Sequence, residues 1–228
     1  MRVVLMLACI LLAFPVFAQP RKIYVVRAGE IPNEVLLIDA IYSFPHFKKG
    51  IVFLGDGSAT SQQLNYNLLL DEMHFINANN NTLAIATPET IKSVVFDSTS
   101  FYFDKNYLQV VLEEGEIKLA IKQFLVQSPY RTRGAYDVSS FVSSISTYSS
   151  TYSNGHLSKL QIKKDVEMEK KSLFFVSDRF NHFYPAEKKF FYKVFPNKKA
   201  ELDSYLKENH INFYDKNALV SLIKLCSV

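Results

Sequence analysis

From Lys22 to Gln127 short apolar runs are cut by turn signals at close intervals, a rhythm that fits an antiparallel meander and not alternating strand and helix units. Ile51-Val52-Phe53-Leu54 leads into Gly55-Asp56-Gly57, whose glycines permit positive φ, and the chain returns from Ala59 to Tyr66 as the second arm of a hairpin. Met73–Ile76, Leu83–Ala86, Ile91–Phe96, Phe101–Phe103 and Tyr107–Leu112 read as further strands. Asn79-Asn80-Asn81, Pro88, Asp97-Ser98 and Asp104-Lys105-Asn106 separate them. Glu113-Glu114-Gly115-Glu116 reads as a solvated hairpin turn. Beyond it Ile117, Leu119 and Ile121 alternate with Lys118 and Lys122, so one face is expected to be apolar and the lysine face wet.

Ten of the fifteen positions from Ser139 to Ser153 are Ser or Thr and none is charged, which predicts a loop or linker at about 137–156. Phe141, Ile145, Tyr148 and Tyr152 recur there at helical spacing, but Ser and Thr are mediocre helix formers. Strand-like alternation resumes at Leu160-Gln161-Ile162 and Val166-Glu167-Met168. A Leu173–Val176 run then faces Phe180–Tyr184 across Ser177-Asp178-Arg179. Three short helices are expected next. Pro185 opens the first, with Phe190, Phe191 and Val194 on one face, and Pro196 ends it. The second, about Lys198–Asn209, turns Leu202, Tyr205 and Leu206 inward and pairs Asp203 with Lys207 outside. Asn212 or Asp215 caps the third, whose apolar stripe is Leu219, Leu222, Ile223 and Cys226.

The N-terminus reads as an address. Arg2 precedes twelve consecutive apolar residues, Val3–Phe14, then Pro15-Val16-Phe17-Ala18, the pattern of a signal peptide cleaved after Ala18. The alternative is an uncleaved anchor, but a bilayer needs roughly 20 apolar residues. Cys9 would leave with the signal, so Cys226 becomes the sole cysteine and no internal disulfide is expected. No later apolar run has membrane-spanning length, and the expected location is periplasmic or extracellular.

Chemistry-bearing motifs are sparse. Histidines at 46, 74, 156, 182 and 210 show no ligand spacing for a metal. There is no Gly-x-Ser-x-Gly elbow and no Gly-rich phosphate loop. Cys226 sits in an apolar stripe, a poor place for a thiolate. Asp71-Glu72, read as opening a strand after Leu70, is the more interesting acidic pair, although neighbours in a strand point to opposite faces. Residues 185–228 hold eight bases and five acids, whereas 19–184 balance at 17 and 17. Attachment of this tail to anionic lipid or glycan competes with simple solvation of the helices by lysine. A net charge of +4 gives no reason to expect nucleic acid as a partner.

The run from Lys188 to Lys199, followed by Leu202, Tyr205, Leu206, Asn209, Ile211, Phe213 and Leu219–Leu225, resembles the C-terminal signature of a family of uncharacterised exported proteins of Bacteroidota. That signature is a Lys-rich helix, a Phe-Pro-x-Lys-Lys break, and two short helices separated by Asn-x-Ile-x-Phe. Phe47-Lys48-Lys49-Gly50, the Gly55-Asp56-Gly57 hairpin, Leu64–Asn67 with Asp71-Glu72-Met73, and Arg133–Tyr136 ahead of the Ser-rich stretch are similar too. The resemblance implies export and brings no catalytic residue.

The expectation is therefore an α+β protein: a signal peptide at 1–18, an antiparallel β region at 19–184 curled into a sandwich or open barrel, and three short helices at 185–228. No catalytic, cofactor-binding or metal-ligating residue is assigned. The leading function is that of an exported, non-catalytic cell-envelope protein acting as a binding or structural partner of an envelope protein or glycan. A hydrolase acting on envelope or extracellular polymer near Asp71-Glu72, or a lipocalin-like carrier of an apolar ligand, are the alternatives.

Overall fold

The computed structural model describes residues 23–127 and 165–227. The signal segment, the Ser-rich stretch and the Leu160–Ile162 run lie outside the described residues. The architecture is α+β. One eleven-stranded antiparallel sheet carries three C-terminal helices.

The strands are β1 (Ile23–Val26), β2 (Lys48–Leu54), β3 (Ala59–Asn67), β4 (Glu72–Ile76), β5 (Thr82–Ala84), β6 (Ile91–Phe96), β7 (Thr99–Asp104), β8 (Asn106–Glu114), β9 (Ile117–Gln127), β10 (Val166–Ser177) and β11 (Phe183–Pro185). Their spatial order is β1-β10-β9-β8-β7-β6-β2-β3-β4-β5, with β11 beside β10 past the end of β1. Two meanders, β2–β5 and β6–β10, are thus joined edge to edge by the β2·β6 ladder. The connection that makes this possible runs through a 3-10 turn at Pro88–Thr90, where the Gly55 N–H donates to the Thr90 carbonyl at 2.8 Å.

Each of the seven hairpin connections contains one left-handed residue: Gly57, Asp71, Asn80, Asp97, Lys105, Gly115 and Asn181. Six of the seven are Gly, Asn or Asp, which adopt that conformation at little cost. This is why the turns at Gly57, Asn80, Asp97 and Gly115 were legible in the sequence, whereas Asp71 and Asn181 fall in runs read as strand. Pro185 ends β11 and does not open a helix, and the two separate runs expected at 166–168 and 173–176 form one twelve-residue strand. Two single-turn helices, α1 (Pro32–Val35) and α2 (Ile38–Ile41), interrupt a region expected to be all sheet. Neither has the length for apolar periodicity to declare it.

The main core lies on one face of the curled sheet. Leu64, Tyr66, Met73, Val52, Val94, Phe96, Phe101 and Tyr107 meet Val26, Leu125, Val166 and Met168 there, so strands from the two ends of the ladder share one cluster. An aromatic chain runs through it: Phe44, Phe96, Phe101, Tyr66 and Tyr107, with successive ring centroids 5.1, 5.8, 5.5 and 5.7 Å apart. Phe44 is partly buried; each of the other four, fully buried, contributes about 1.5–3 kcal/mol of transfer free energy.

The helices α3 (Lys188–Val194), α4 (Lys199–Glu208) and α5 (Lys216–Ser227) form a second core on β9 and β10. Phe191, Leu202, Leu219, Leu222, Ile223 and Cys226 pack against Leu119, Phe174 and Val176. The stripe expected of the last helix is fully buried, and Asp215 caps it, its Oδ1 accepting the Ala218 N–H at 2.8 Å. Register places Phe174 and Val176 on the same side of β10 as Val166 and Met168, so one face of the long β9–β10 ribbon serves the helical core at one end and the sheet core at the other.

The lysine face of β9 is not wet. Lys118 is 6% exposed, roofed by Tyr102 and paired with Glu113 at 3.1 Å. Phe183, Leu108 and Ala120 form a third cluster on that face, because β11 folds against β10 and carries Phe183 onto it. No helix of the described residues is long and apolar enough to cross a membrane.

Candidate functional site

The acidic pair singled out from sequence sits where β3 turns into β4. Asp71 is not the first residue of a strand but a left-handed turn residue at φ 59°, and Glu72 begins β4. Asn67 builds this turn, its Oδ1 accepting the N–H groups of Leu69 and Leu70 at 2.9 and 3.0 Å. The turn then fills a gap in the sheet. The β8·β9 ladder stops at Gln109↔Ile121, leaving the end of β9 without β8, and there the Leu125 N–H donates to the Leu68 carbonyl at 2.9 Å.

That docking brings together four polar side chains from three parts of the chain. The Asp71 carboxylate accepts the Tyr66 hydroxyl and, at 2.6 Å, the Lys122 ammonium, which also donates to Asn106 Oδ1. Burial raises the Tyr66 phenol far above its ordinary range, and the neighbouring Asp71 charge pushes the same way. Tyr66 is therefore a fixed donor. Asp71, held by a cation and a phenol, is an anchored acceptor.

Glu72 looks elsewhere. Glu72 and His74 share one face of β4, and Glu72 Oε2 lies 3.0 Å from His74 Nε2. His74 Nδ1 lies 2.9 Å from the Tyr42 hydroxyl, completing a carboxylate–imidazole–hydroxyl chain. Such a chain activates a nucleophile when its hydroxyl is exposed and acidified. Here burial raises the Tyr42 phenol despite a bond from Asn67, and the Glu72 charge adds to the rise. His74 is 2% exposed. In the tautomer in which Tyr42 donates to Nδ1, the Nε2–H of His74 donates to Glu72 Oε2, and the chain is a buried polar strut. Beside it Asn65 holds Phe44, accepting its N–H at 3.1 Å and donating to its carbonyl at 2.9 Å.

Asp71 and Glu72 thus serve two different networks and do not converge. His74 joins the second; His182 pairs with Asp178 at 3.0 Å in the β10–β11 turn; His210 lies beyond α4; and His156 lies outside the described residues. Among the described residues no group of three or more His, Cys, Asp or Glu side chains is placed to hold a metal ion. Sequence reasoning missed Tyr42, Tyr66, Asn106 and Lys122. The Glu72-x-His74 spacing on a strand was the one signal that lay in the sequence, since i and i+2 share a face.

The lysine-rich segment has its own geometry. Lys188, Lys189 and Lys193 sit over Tyr192, Phe190 and Tyr184, with ammonium-to-centroid distances of 5.4, 4.7 and 4.2 Å, and Lys199 lies 5.6 Å from Tyr192. Asp203 faces Lys188 at 3.4 Å and accepts the Tyr192 hydroxyl; Lys207, expected as its partner, adds only a favourable field. An open depression of about 340 Å³ adjoins Lys188, lined by Leu206, Ile211 and Phe213 and by Asn209, His210 and Asn212.

Comparison with known proteins returns no match: no family model fits the chain, and no curated protein and no solved structure is significantly similar to it.

Proposed function

We propose that this chain is an exported, non-catalytic protein of the cell envelope that acts by binding a partner. The observation that carries the reading is the engagement of the two carboxylates that acid/base chemistry would need: Asp71 by Lys122 and Tyr66, Glu72 by a buried imidazole. A general acid or base must reach a substrate proton, and these groups spend their capacity on the protein itself. The Arg2–Ala18 pattern and the resemblance to exported proteins of Bacteroidota support export. Binding is supported by β1, the outermost strand of the sheet among the described residues, where Ile23 and Val25 are 47% and 58% exposed.

The test is mass determination of the protein isolated from its native cells, with incubation of the purified protein on envelope polymer. A mature N-terminus at Gln19 and no released product are the expected outcomes. A chain starting at Met1, or polymer cleavage lost in Asp71→Asn, would overturn the proposal.

A further inference from the structure

From Lys188 to Lys199 the chain carries five lysines and no acid. On a typical surface such lysines are mobile and intersperse with carboxylates. Here four of them lie over aromatic rings, and Tyr184 and Phe190 stack on one another at 5.5 Å with only 19° between their planes. Cation–π contact parks each ammonium at a defined place, so less side-chain freedom remains to be lost when an anion binds. Lys188, Lys189 and Lys198 have carboxylate partners in Asp203, Glu187 and Glu201, whereas Lys193 and Lys199 form no ion pair with a described residue.

Beside this row lies the depression bounded by Lys188, His210 and Asn212, and none of its lining residues is acidic. Asn212 spends its side-chain oxygen on the Tyr214 N–H at 2.9 Å, which turns its amide donor toward other uses. Leu206 and Phe213 supply an apolar surface of the kind on which the carbon face of a sugar ring rests. An anionic membrane is the less suitable partner. Interfacial helices insert large apolar side chains, and none of the exposed large apolar residues lies on α3 or α4.

We infer that the lysine–aromatic face of α3, together with the adjoining depression, is a binding site for an acidic polysaccharide. Carboxylate groups spaced along the chain would meet Lys193 and Lys199, and a sugar ring would seat beside Lys188. The inference rests on the binding-protein reading and gives it a ligand class, but its test needs no knowledge of compartment. Failure to bind glycan leaves the binding reading intact for another partner, while polymer cleavage sinks that reading and leaves the glycan site standing.

The experiment titrates residues 19–228 with oligogalacturonate, with neutral dextran fragments and with phosphatidylglycerol vesicles, read by calorimetry and by amide chemical shifts. Oligogalacturonate is expected to bind with salt-sensitive affinity and to shift amides in α3 and around Phe213. The double substitution Lys193→Glu/Lys199→Glu, at two exposed positions, should weaken binding at least about tenfold while the circular dichroism spectrum stays unchanged. Absence of oligogalacturonate binding, equal binding of dextran, binding of vesicles alone, or full affinity in the double variant would each overturn the assignment.

Discussion

Asp71 and Lys122 stand 51 positions apart in sequence, yet their charged groups meet at 2.6 Å, one at the tip of the β3–β4 turn and the other on β9. The pair ties the first meander to the second away from the β2·β6 ladder. The backbone bond from Leu125 to Leu68 lies in the same contact, so charge and backbone close the curl together.

Removing either charge should leave the other half-buried and uncompensated, since Lys122 is 16% and Asp71 33% exposed. Lys122→Met and Asp71→Asn are each expected to cost about 1–2 kcal/mol, with a coupling of about 1 kcal/mol in a double-mutant cycle. Asn is the right probe because it tolerates the positive φ of this position. Urea denaturation of the four proteins measures the coupling, and strict additivity would show that the ion pair does not close the sheet.

Gly50 is a packing requirement. A Cβ there would come within 3.0 Å of the Phe96 ring and the Val95 carbonyl and 3.1 Å of Leu64. Because one of those atoms is backbone, the strand itself must shift, and Gly50→Ala is expected to destabilise by about 1–3 kcal/mol. A thermal melt indistinguishable from that of the parent protein would contradict this.

Leu222→Ala should remove about 2–5 kcal/mol from the helical core. The shared face of β9 and β10 makes the loss local but graded: amides of Leu119 and Val176 should exchange faster, while those of Val52 and Leu64, in the other core, keep their protection. Hydrogen exchange by NMR reads both sets. Uniform acceleration would mean that the two cores unfold as one unit.

Burial pushes the Cys226 thiol up to about 11 from an ordinary 9.0, and the nearby Glu201 carboxylate adds to the rise. The neutral thiol is favoured in the folded state, so its contribution is fully present below pH 9.0 and is lost as pH climbs toward 11. The melting temperature should fall over that window, and the fall should shrink in Cys226→Ala. Iodoacetamide at pH 8 should label the folded protein far more slowly than the urea-unfolded one. Equal rates would place the thiol at the surface.

Local features declared themselves in the chain. The Gly55-Asp56-Gly57 hairpin, the turns at Asn80, Asp97, Lys105 and Gly115, and the Leu219–Cys226 stripe all formed as read, because turn chemistry and apolar period act over a few residues. The failures share a physical cause. Lys118 and Lys122 alternate with apolar residues as solvated lysines do, and only the Tyr102 ring over one and the β3–β4 turn beside the other remove them from water. Asp71 was identified, but its partners Tyr66, Asn106 and Lys122 were not, since nothing within a few residues of Asp71 announces β9.

The amino-acid sequence by itself determined strands, turns, the three C-terminal helices and the clustering of lysines in the first of them, because each depends on dihedral preference and side-chain order along the chain. Only the tertiary structure decided that β6 returns to β2, that one ribbon face feeds two cores, and that four ammonium groups of the Lys188–Lys199 run come to rest on aromatic rings. Those outcomes depend on which surfaces meet across space, and no local preference encodes a distance between residues far apart in the chain.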